Sequence, residues 1–446
     1  IHIFAECIVL EVTLDILARV HGTERIIHGA MQKIYTQPSM FSHYSWPQAI
    51  LHIDGDAFFA SVMRSVNPSL IGKPIVTGRE RGIATAISYE AKKFGVTRGM
   101  PYFEIKKKCP ECLFIESDYD LFSLVSSRMF SIMKKYSPYV EEYSIDEGFV
   151  DITGLRRMHK QSYEEITLSI KKELEQKLNI TFSIGLSITK SLAKLASSFR
   201  KPSGFTPVRG KHIEYLLKNR TTRDIWGIGP NTAAYLEKCN IKMALEFALL
   251  SEEFVTSHLS KPYYEIWQEL RGKKIFELQL GKKEEYKSIS KTETFTPPTN
   301  DKELLWARLL GHVEDAFKKA RIYNYAVGRV DMFLKTQKFI YQTATCKLLN
   351  KTAFPLHIHA DLRKTFESIY SASHQYRTTG CTISDLEDAT MTQTSLFEDT
   401  TTHTKTKKLY EILSSGKVNF GTSLITDCHS SKKPEVKKFS LPILTF

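Results

Sequence analysis

The feature that most constrains this chain is a pair of acidic strand ends far apart in sequence. "ILHIDGDAFFASV" (Ile50–Val62) is an apolar strand that breaks off in Asp-Gly-Asp and is followed almost at once by two phenylalanines. "YVEEYSIDEGFVDITG" (Tyr139–Gly154) reads as two strands around an acidic turn that carries Asp146 and Glu147. Strands this apolar belong inside a sheet. If they share one, Asp54, Asp146 and Glu147 converge at its edge. Crowded carboxylates repel unless a cation neutralises them. Hard oxygen ligands that leave room for water and phosphate suit magnesium. A pair of such ions would activate an attacking 3′-hydroxyl and stabilise a leaving pyrophosphate. Taken singly, each acid reads far better as a surface residue, so the assignment rests on context.

The rest of the chain supplies that context. "NPSLIGKPIVTG" (Asn67–Gly78) is turn-rich, and "RGIATAISYEAKKFGVTRGMP" (Arg81–Pro101) reads as strand, helix and turn. Tyr163–Leu178 is a charged amphipathic helix, and "ITFSIGLSI" (Ile180–Ile188) is a strand. In "TKSLAKLASSFRKPSG", Ile188, Leu192, Leu195, Ala196 and Phe199 share one helical face. Lys190, Lys194 and Lys201 project from the opposite face, which reads as solvated unless a polyanion lies against it. "IWGIGPNTAAYLEKCNI" (Ile225–Ile241) sets Gly-Ile-Gly before a helix. Beyond Asp388 the composition suits a flexible tail.

A chain of 446 residues is long enough for two to four domains. Its net charge of +13 favours a polyanionic partner, nucleic acid first and an anionic membrane surface second. Seven scattered cysteines do not make a disulfide framework, which points to a reducing cytoplasm. Cys109 and Cys112 form one CPEC with no second pair at zinc-site spacing, so they read as structural thiols. No apolar run approaches a membrane span. Residues 1–39 read as an upstream extension, with Met31 or Met40 as the natural start.

"HIDGDAFFASV", "SYEAKKFGVTRGMP", "YSIDEGFVDITG" and "GLSITKSLAKLASSFRKPSG" occur in this order. Together they resemble the Y-family DNA polymerases, closest to the DinB (DNA polymerase IV) branch, over roughly residues 50–388. The resemblance implies an α+β multidomain right hand. Its palm, a mixed sheet with helices, would take residues 48–57 and 118–215, and small fingers 58–117. A helix-hairpin-helix thumb would take 216–284, a linker 285–291 and an α/β little finger 292–388. Residues 1–47 would be an extension and 389–446 a flexible tail.

The resemblance also implies template-directed, low-fidelity DNA synthesis past damaged bases, without proofreading. Asp54, Asp146 and Glu147 would be catalytic and would hold two Mg2+, assisted by the Gly55 carbonyl. Asp56 would brace the turn. Phe59 would be the steric gate under the sugar, with Phe58 beside the nucleotide. Tyr89, Lys92 and Lys201 would meet the triphosphate of the dNTP. Lys190 and Lys194 would lie near primer phosphates, and Gly227 and Gly229 would offer backbone N–H groups to primer–template DNA. Gln393, Leu396 and Phe397 of "QTSLF" fit a peptide for a β-type sliding clamp. "QPSMF" (Gln37–Phe41) looks similar and is treated as chance. The resemblance further implies a monomer in a bacterial cytoplasm, associated with the nucleoid when on DNA.

The chain departs from the family pattern in three places. Gly55 stands where a Met or bulkier residue is common, Lys92 where Arg is common, and Ala86 where Thr is common. A point charge at Lys92 lacks the bidentate fork of Arg. Three alternatives remain open at this stage: an inactive DNA-binding scaffold, a UmuC-like polymerase, or another palm-type nucleotidyl transferase or cyclase. The three acids speak against the first, the Tyr-Glu-Ala and Phe-Phe motifs against the second, and the duplex-gripping elements against the third.

Overall fold

The computed structural model describes residues 46–281, 286–390 and 400–414. They fall into two compact units, one running up to Lys282 and one from Lys283 to Ser440.

The first unit carries β1 (Ile50–Gly55), β2 (Ile75–Thr77), β3 (Ala86–Ile87), β4 (Leu113–Ile115), β5 (Val140–Glu141), β6 (Glu147–Asp151), β7 (Phe182–Ser187) and β8 (Phe205–Pro207). Five of them form one sheet in the order β5-β6-β1-β7-β8, and three form a smaller sheet, β3-β2-β4. The helices that bear on the site are α1 (Phe58–Val66), α2 (Tyr89–Lys93), α3 (Tyr119–Tyr136), α4 (Tyr163–Leu178), α5 (Lys190–Ser197), α6 (Pro230–Lys238) and α7 (Lys261–Leu270).

The two-residue period of β1 divides its side chains between the faces of the large sheet. Leu51 and Ile53 enter the main core with Phe122, Met129, Ile166 and Ile170 of α3 and α4. Ile50 packs on the other face with Phe149 and Ala193 of α5, so His52 and Asp54 point to that same side. Each buried Leu or Ile contributes about 1.5–3 kcal/mol, and that burial fixes which face the polar residues take. α4, the helix that its charged amphipathic pattern predicts, begins with a capping box, Ser162 with Glu165, and ends on a left-handed Asn179.

α5 lies almost on the sheet backbone. A Cβ at Gly185 of β7 would stand 2.0 Å from the Ala193 carbonyl oxygen and 2.4 Å from the Ser197 nitrogen, so only glycine admits this approach. The Glu269 carboxylate, buried on α7, receives the Ser191 N–H at the start of α5 at 3.0 Å. It also receives the N–H groups of Ile275 and Phe276. α5 is thereby covered on the side that its lysine pattern had marked as solvated. Lys190 is 4% exposed. At Lys190 the solvated-face expectation fails because α7 and the strap after it close over it, whereas Lys194 is partly exposed and Lys201 exposed.

The second unit is an antiparallel sheet in the order β11-β10-β12-β9, built from β9 (Ser288–Thr299), β10 (Tyr325–Thr336), β11 (Tyr341–Thr352) and β12 (Tyr376–Asp388). Its core is filled from α8 (Lys302–Ile322) and α9 (His359–Ile369). Three boundaries differ from the sequence expectation. Ser288–Lys291 are not linker but pair with β12, Ser288 opposite Ser384 and Lys291 opposite Cys381. Trp46, assigned to the extension, packs edge-on against Tyr163. The tail contains α10 (Thr400–Ser414), whose Tyr410 is 3% exposed. Tyr410 packs on Phe354 and donates to Glu314 at 3.1 Å. A low apolar content hid this helix, whose buried residues among those described are Thr406 and Tyr410. Among the described residues no helix is long and apolar enough to cross a membrane.

Candidate active site

The acids meet because of strand register. Asp54 is the Cα partner of Glu147 across β1 and β6. The turn between β5 and β6 returns to β1 through Gly55 N–H, which donates to the Asp146 carbonyl oxygen at 2.8 Å. Ligand atoms of Asp54, Glu147 and His52 lie within 4.8 Å of one another. Asp146 stands beside this cluster rather than in it, and its carboxylate accepts from Ser144 Oγ at 2.8 Å.

Each clustered acid faces a lysine. Lys201 Nζ is 2.5 Å from Asp54 Oδ1, and Lys194 Nζ is 2.5 Å from Glu147 Oε2. Burial pushes Asp54 up to about 6; Lys201 opposes this, while Glu147 and Asp146 add to it. Burial also raises Glu147, but the paired Lys194 ammonium outweighs it and holds the carboxyl below its ordinary value of 4.5. His52, 1% exposed, is driven down to about 4, chiefly by its burial. The set of carboxylates is of the hard-oxygen kind that binds a divalent cation, and its mutual repulsion, visible at Asp54, is what such a cation would relieve.

Asp56 is the brace. It is 1% exposed and accepts from Ser183 Oγ at 2.7 Å, Ser203 N–H at 2.7 Å and the Tyr89 hydroxyl at 3.2 Å. Tyr89, expected at the triphosphate, therefore spends its proton on Asp56 and ties α2 to the large sheet. Its ring carries the Lys92 ammonium 4.3 Å from the centroid. Phe58 is corrected as well: it is 3% exposed and belongs to the core, not to a nucleotide surface. A Cβ at Gly55 would stand 2.8 Å from Phe58 Cδ2, so the ring occupies the space that a larger residue at 55 would need. Phe59 is half-buried. Its ring is stacked on Phe122 at 4.2 Å and 9°, with Tyr119 edge-on.

Lys190 is the third correction. Its ammonium is buried on Glu141 Oε2 at 2.6 Å and above the Phe149 ring at 4.7 Å, so it offers nothing to a phosphate backbone. Gly227 and Gly229 are exposed. Gly227 has φ +92°, and a Cβ there would meet Ile266 Cδ1 at 2.6 Å. Gly229 precedes α6, whose N-terminus no side chain caps. Gln393, Leu396 and Phe397 lie outside the described residues. His52 escaped the sequence reading although its position, two residues before Asp54, places it on the acid face of β1.

Comparison with known proteins gives the family of the chain. Residues 53–198 match the impB/mucB/samB family, and residues 286–396 match the impB/mucB/samB family C-terminal domain. A DNA polymerase IV of Desulfatibacillum aliphaticivorans is 30% identical over 84% of this chain and 95% of its own length. The chain belongs to the Y-family DNA polymerases, in their DinB branch. Another member of the family, DNA polymerase IV 3 of Mesorhizobium japonicum, is 30% identical over 77% of this chain and 94% of its own. In fold, the chain is similar to a Y-family DNA polymerase chimera of Dbh and Dpo4, with a TM-score of 0.64 over 76% of this chain and 99% of that one, at 22% identity.

Proposed function

We propose that this chain is a low-fidelity, DNA-directed DNA polymerase of translesion synthesis that extends a primer 3′-hydroxyl with dNTPs. Family membership carries the activity class. The observation that supports the site is the register partnership of Asp54 and Glu147, with Asp146 adjoining. In this reading the large sheet is the palm and the small sheet belongs to the fingers. The helices after β8 form the thumb, and the second unit is the little finger.

Asp54, Asp146, Glu147 and the Gly55 carbonyl would hold two magnesium ions. Bound there, the ions supply Lewis-acid activation of the hydroxyl and charge neutralisation of the pyrophosphate. The protein's own part is positioning. Asp56 holds the turn after β1 in place through three donors, and the stacked Phe122 fixes the Phe59 ring so that a 2′-hydroxyl would collide with it. Lys201 is the most exposed cation at the acids and would transfer from Asp54 to the triphosphate, with Lys92 beside it. The Gly227 and Gly229 region would take a DNA phosphate on backbone N–H groups, a contact that weakens with salt. Gln393, Leu396 and Phe397 would take the sliding clamp.

Primer extension with magnesium tests the reading. Asp146→Ala or Glu147→Ala should abolish extension, and full activity in either would overturn the assignment. Phe59→Ala should raise ribonucleotide incorporation; unchanged sugar selectivity would remove Phe59 from the gate.

A further inference from the structure

One group in the acid cluster has no part in that reading. His52 sits beneath Glu147 on the buried side of β1 and touches two residues of α5. Its Nδ1 is 2.7 Å from Ser197 Oγ, while its Nε2 is 3.3 Å from Lys194 Nζ and 3.1 Å from Glu147 Oε2. The donors can be counted. The Ser197 hydroxyl lies 2.8 Å from the Lys194 carbonyl oxygen and 2.7 Å from His52 Nδ1, so it can donate to the carbonyl while accepting from Nδ1. The Lys194 ammonium, 3.3 Å from Nε2, is better met there by a lone pair than by a second N–H. On that ground the ring hydrogen is assigned to Nδ1, which leaves Nε2 bare. A bare nitrogen cannot donate to Glu147. The donor between them is Lys194, whose ammonium serves His52 Nε2 and Glu147 Oε2 together.

We infer that His52 is a positioning residue: it gives the Lys194 ammonium a second acceptor, so that Lys194 can yield Glu147 to a divalent cation. The inference rests on the acid site being a cation site, as proposed above. Without the imidazole lone pair, the ammonium has Glu147 as its one anionic acceptor in the cluster and competes harder with an incoming cation. With the lone pair, the lysine has somewhere to settle that is already within hydrogen-bonding distance. The strands hold this arrangement in place, because His52 and Asp54 share one face of β1 and Ser197 and Lys194 lie a turn apart on α5. The imidazole also stacks at a tilt against Phe149, 4.7 Å between ring centres, which keeps it from turning away.

The test is Mn2+ binding to the full chain by electron paramagnetic resonance, without DNA or nucleotide, so the readout does not depend on turnover. H52N keeps a donor toward Ser197 but loses the distal acceptor, and it should weaken Mn2+ binding about tenfold, the low end of the cost of losing a ligand's supporting partner. H52Q restores an acceptor oxygen at the distal position and should bind close to the parent. K194M removes the competitor and should tighten Mn2+ binding. The double variant H52N/K194M should bind as K194M does, because His52 acts only through the lysine. Parent-like binding in H52N, equal loss in H52N and H52Q, or a loss that persists in the K194M background overturns the inference. K194M tests the competition without any change at His52, and unchanged or weaker binding there overturns it too. E147A separates the two levels of the argument. If it binds Mn2+ like the parent, the cation-site reading itself fails; if it loses binding, only the role of His52 is at stake in the other arms.

Discussion

Lys190 and Lys194 sit one helical turn apart on α5, and each faces a glutamate from the β5–β6 region. Their surroundings differ. The Lys190–Glu141 pair is 5% and 6% exposed, whereas the Lys194–Glu147 pair is 21% and 17% exposed. Glu141 also accepts the Gln279 N–H at 2.9 Å, and Lys190 reaches the Glu277 carbonyl at 3.3 Å. Leu278 packs over Ile50, Phe149 and Ala193 between those two contacts. The first pair is thus sealed beneath a strap of chain and has fixed partners. The second stands at the open end of the sheet beside Asp54, where partners can be exchanged. Identical residue types thus hold a strap in one place and stand at the proposed cation site in the other, and enclosure separates the two roles.

The largest effect that could break this comparison is catalytic. Glu147→Gln should lower primer extension by about a thousandfold or more, since metal-held charge stabilisation is worth several kcal/mol. Glu141→Gln, in protein that remains folded, should leave kcat near the parent's. Comparable kcat losses in the two variants would show that the sealed pair also serves chemistry.

Stability should rank the pairs in the reverse order. Lys190→Met leaves Glu141 charged and buried, and breaking such a pair costs about 3–5 kcal/mol, measurable by urea unfolding of the full chain. Replacing Glu141 as well, with Leu, should recover only part of the loss. It removes the stranded charge but leaves the Gln279 N–H without its acceptor, which costs about 1–3 kcal/mol. Complete recovery would mean that the strap does not depend on Glu141.

Much of this site was legible in the sequence because strand periodicity and register are local rules applied twice. An apolar run ending in Asp54 and a second run beginning at Glu147 need only pair in register to meet, and they do. What was not legible is what covers what. The lysine face of α5 looked solvated because nothing within its own turn announces α7, 70 residues on, whose Glu269 caps it. Phe58 looked like a nucleotide contact until the space left by Gly55 proved to hold its ring. α10 was missed because few of its described residues are buried; one of them, Tyr410, is set against Glu314 and beneath the Arg321 guanidinium 4.3 Å from its ring centre. The cover on α5 and the anchor of α10 are long-range contacts, which composition and periodicity do not encode, and the Phe58 ring fills a local space that only the path of the turn reveals.

A third measurement uses pH on chelated protein and sharpens the view of the open pair. Asp54 is raised from its ordinary 3.8 to about 6 by burial, so the folded state holds its proton more tightly than the unfolded one. Its contribution to stability is present below about pH 4 and lost as pH rises through 6. Glu147 is displaced in the opposite direction, below its ordinary value, where the Lys194 ammonium overcomes its burial. Its contribution is present above its ordinary value of 4.5 and lost as pH falls below it. Asp54→Asn should therefore stabilise the chelated protein at pH 7, and Glu147→Gln should destabilise it, each by about 1–3 kcal/mol. Equal signs at pH 7 would mean that the two register partners share one environment.

The smallest expected effect is the most telling for the two lysines. Lys194→Met removes one member of a pair that solvent reaches, and such pairs contribute about 1 kcal/mol or less. Glu147 can then draw on water at the open end of the sheet, a recourse that enclosure denies Glu141. The unfolding midpoint of Lys194→Met should accordingly fall much less than that of Lys190→Met under the same conditions. Added salt should narrow the small difference between Lys194→Met and the parent, because exposed charges are screened, and should leave the Lys190→Met deficit almost unchanged. If the two variants lose equal stability, or if salt rescues Lys190→Met, enclosure is not what distinguishes the pairs. The exchange of partners at Lys194 would then need a cause other than its position at the open edge.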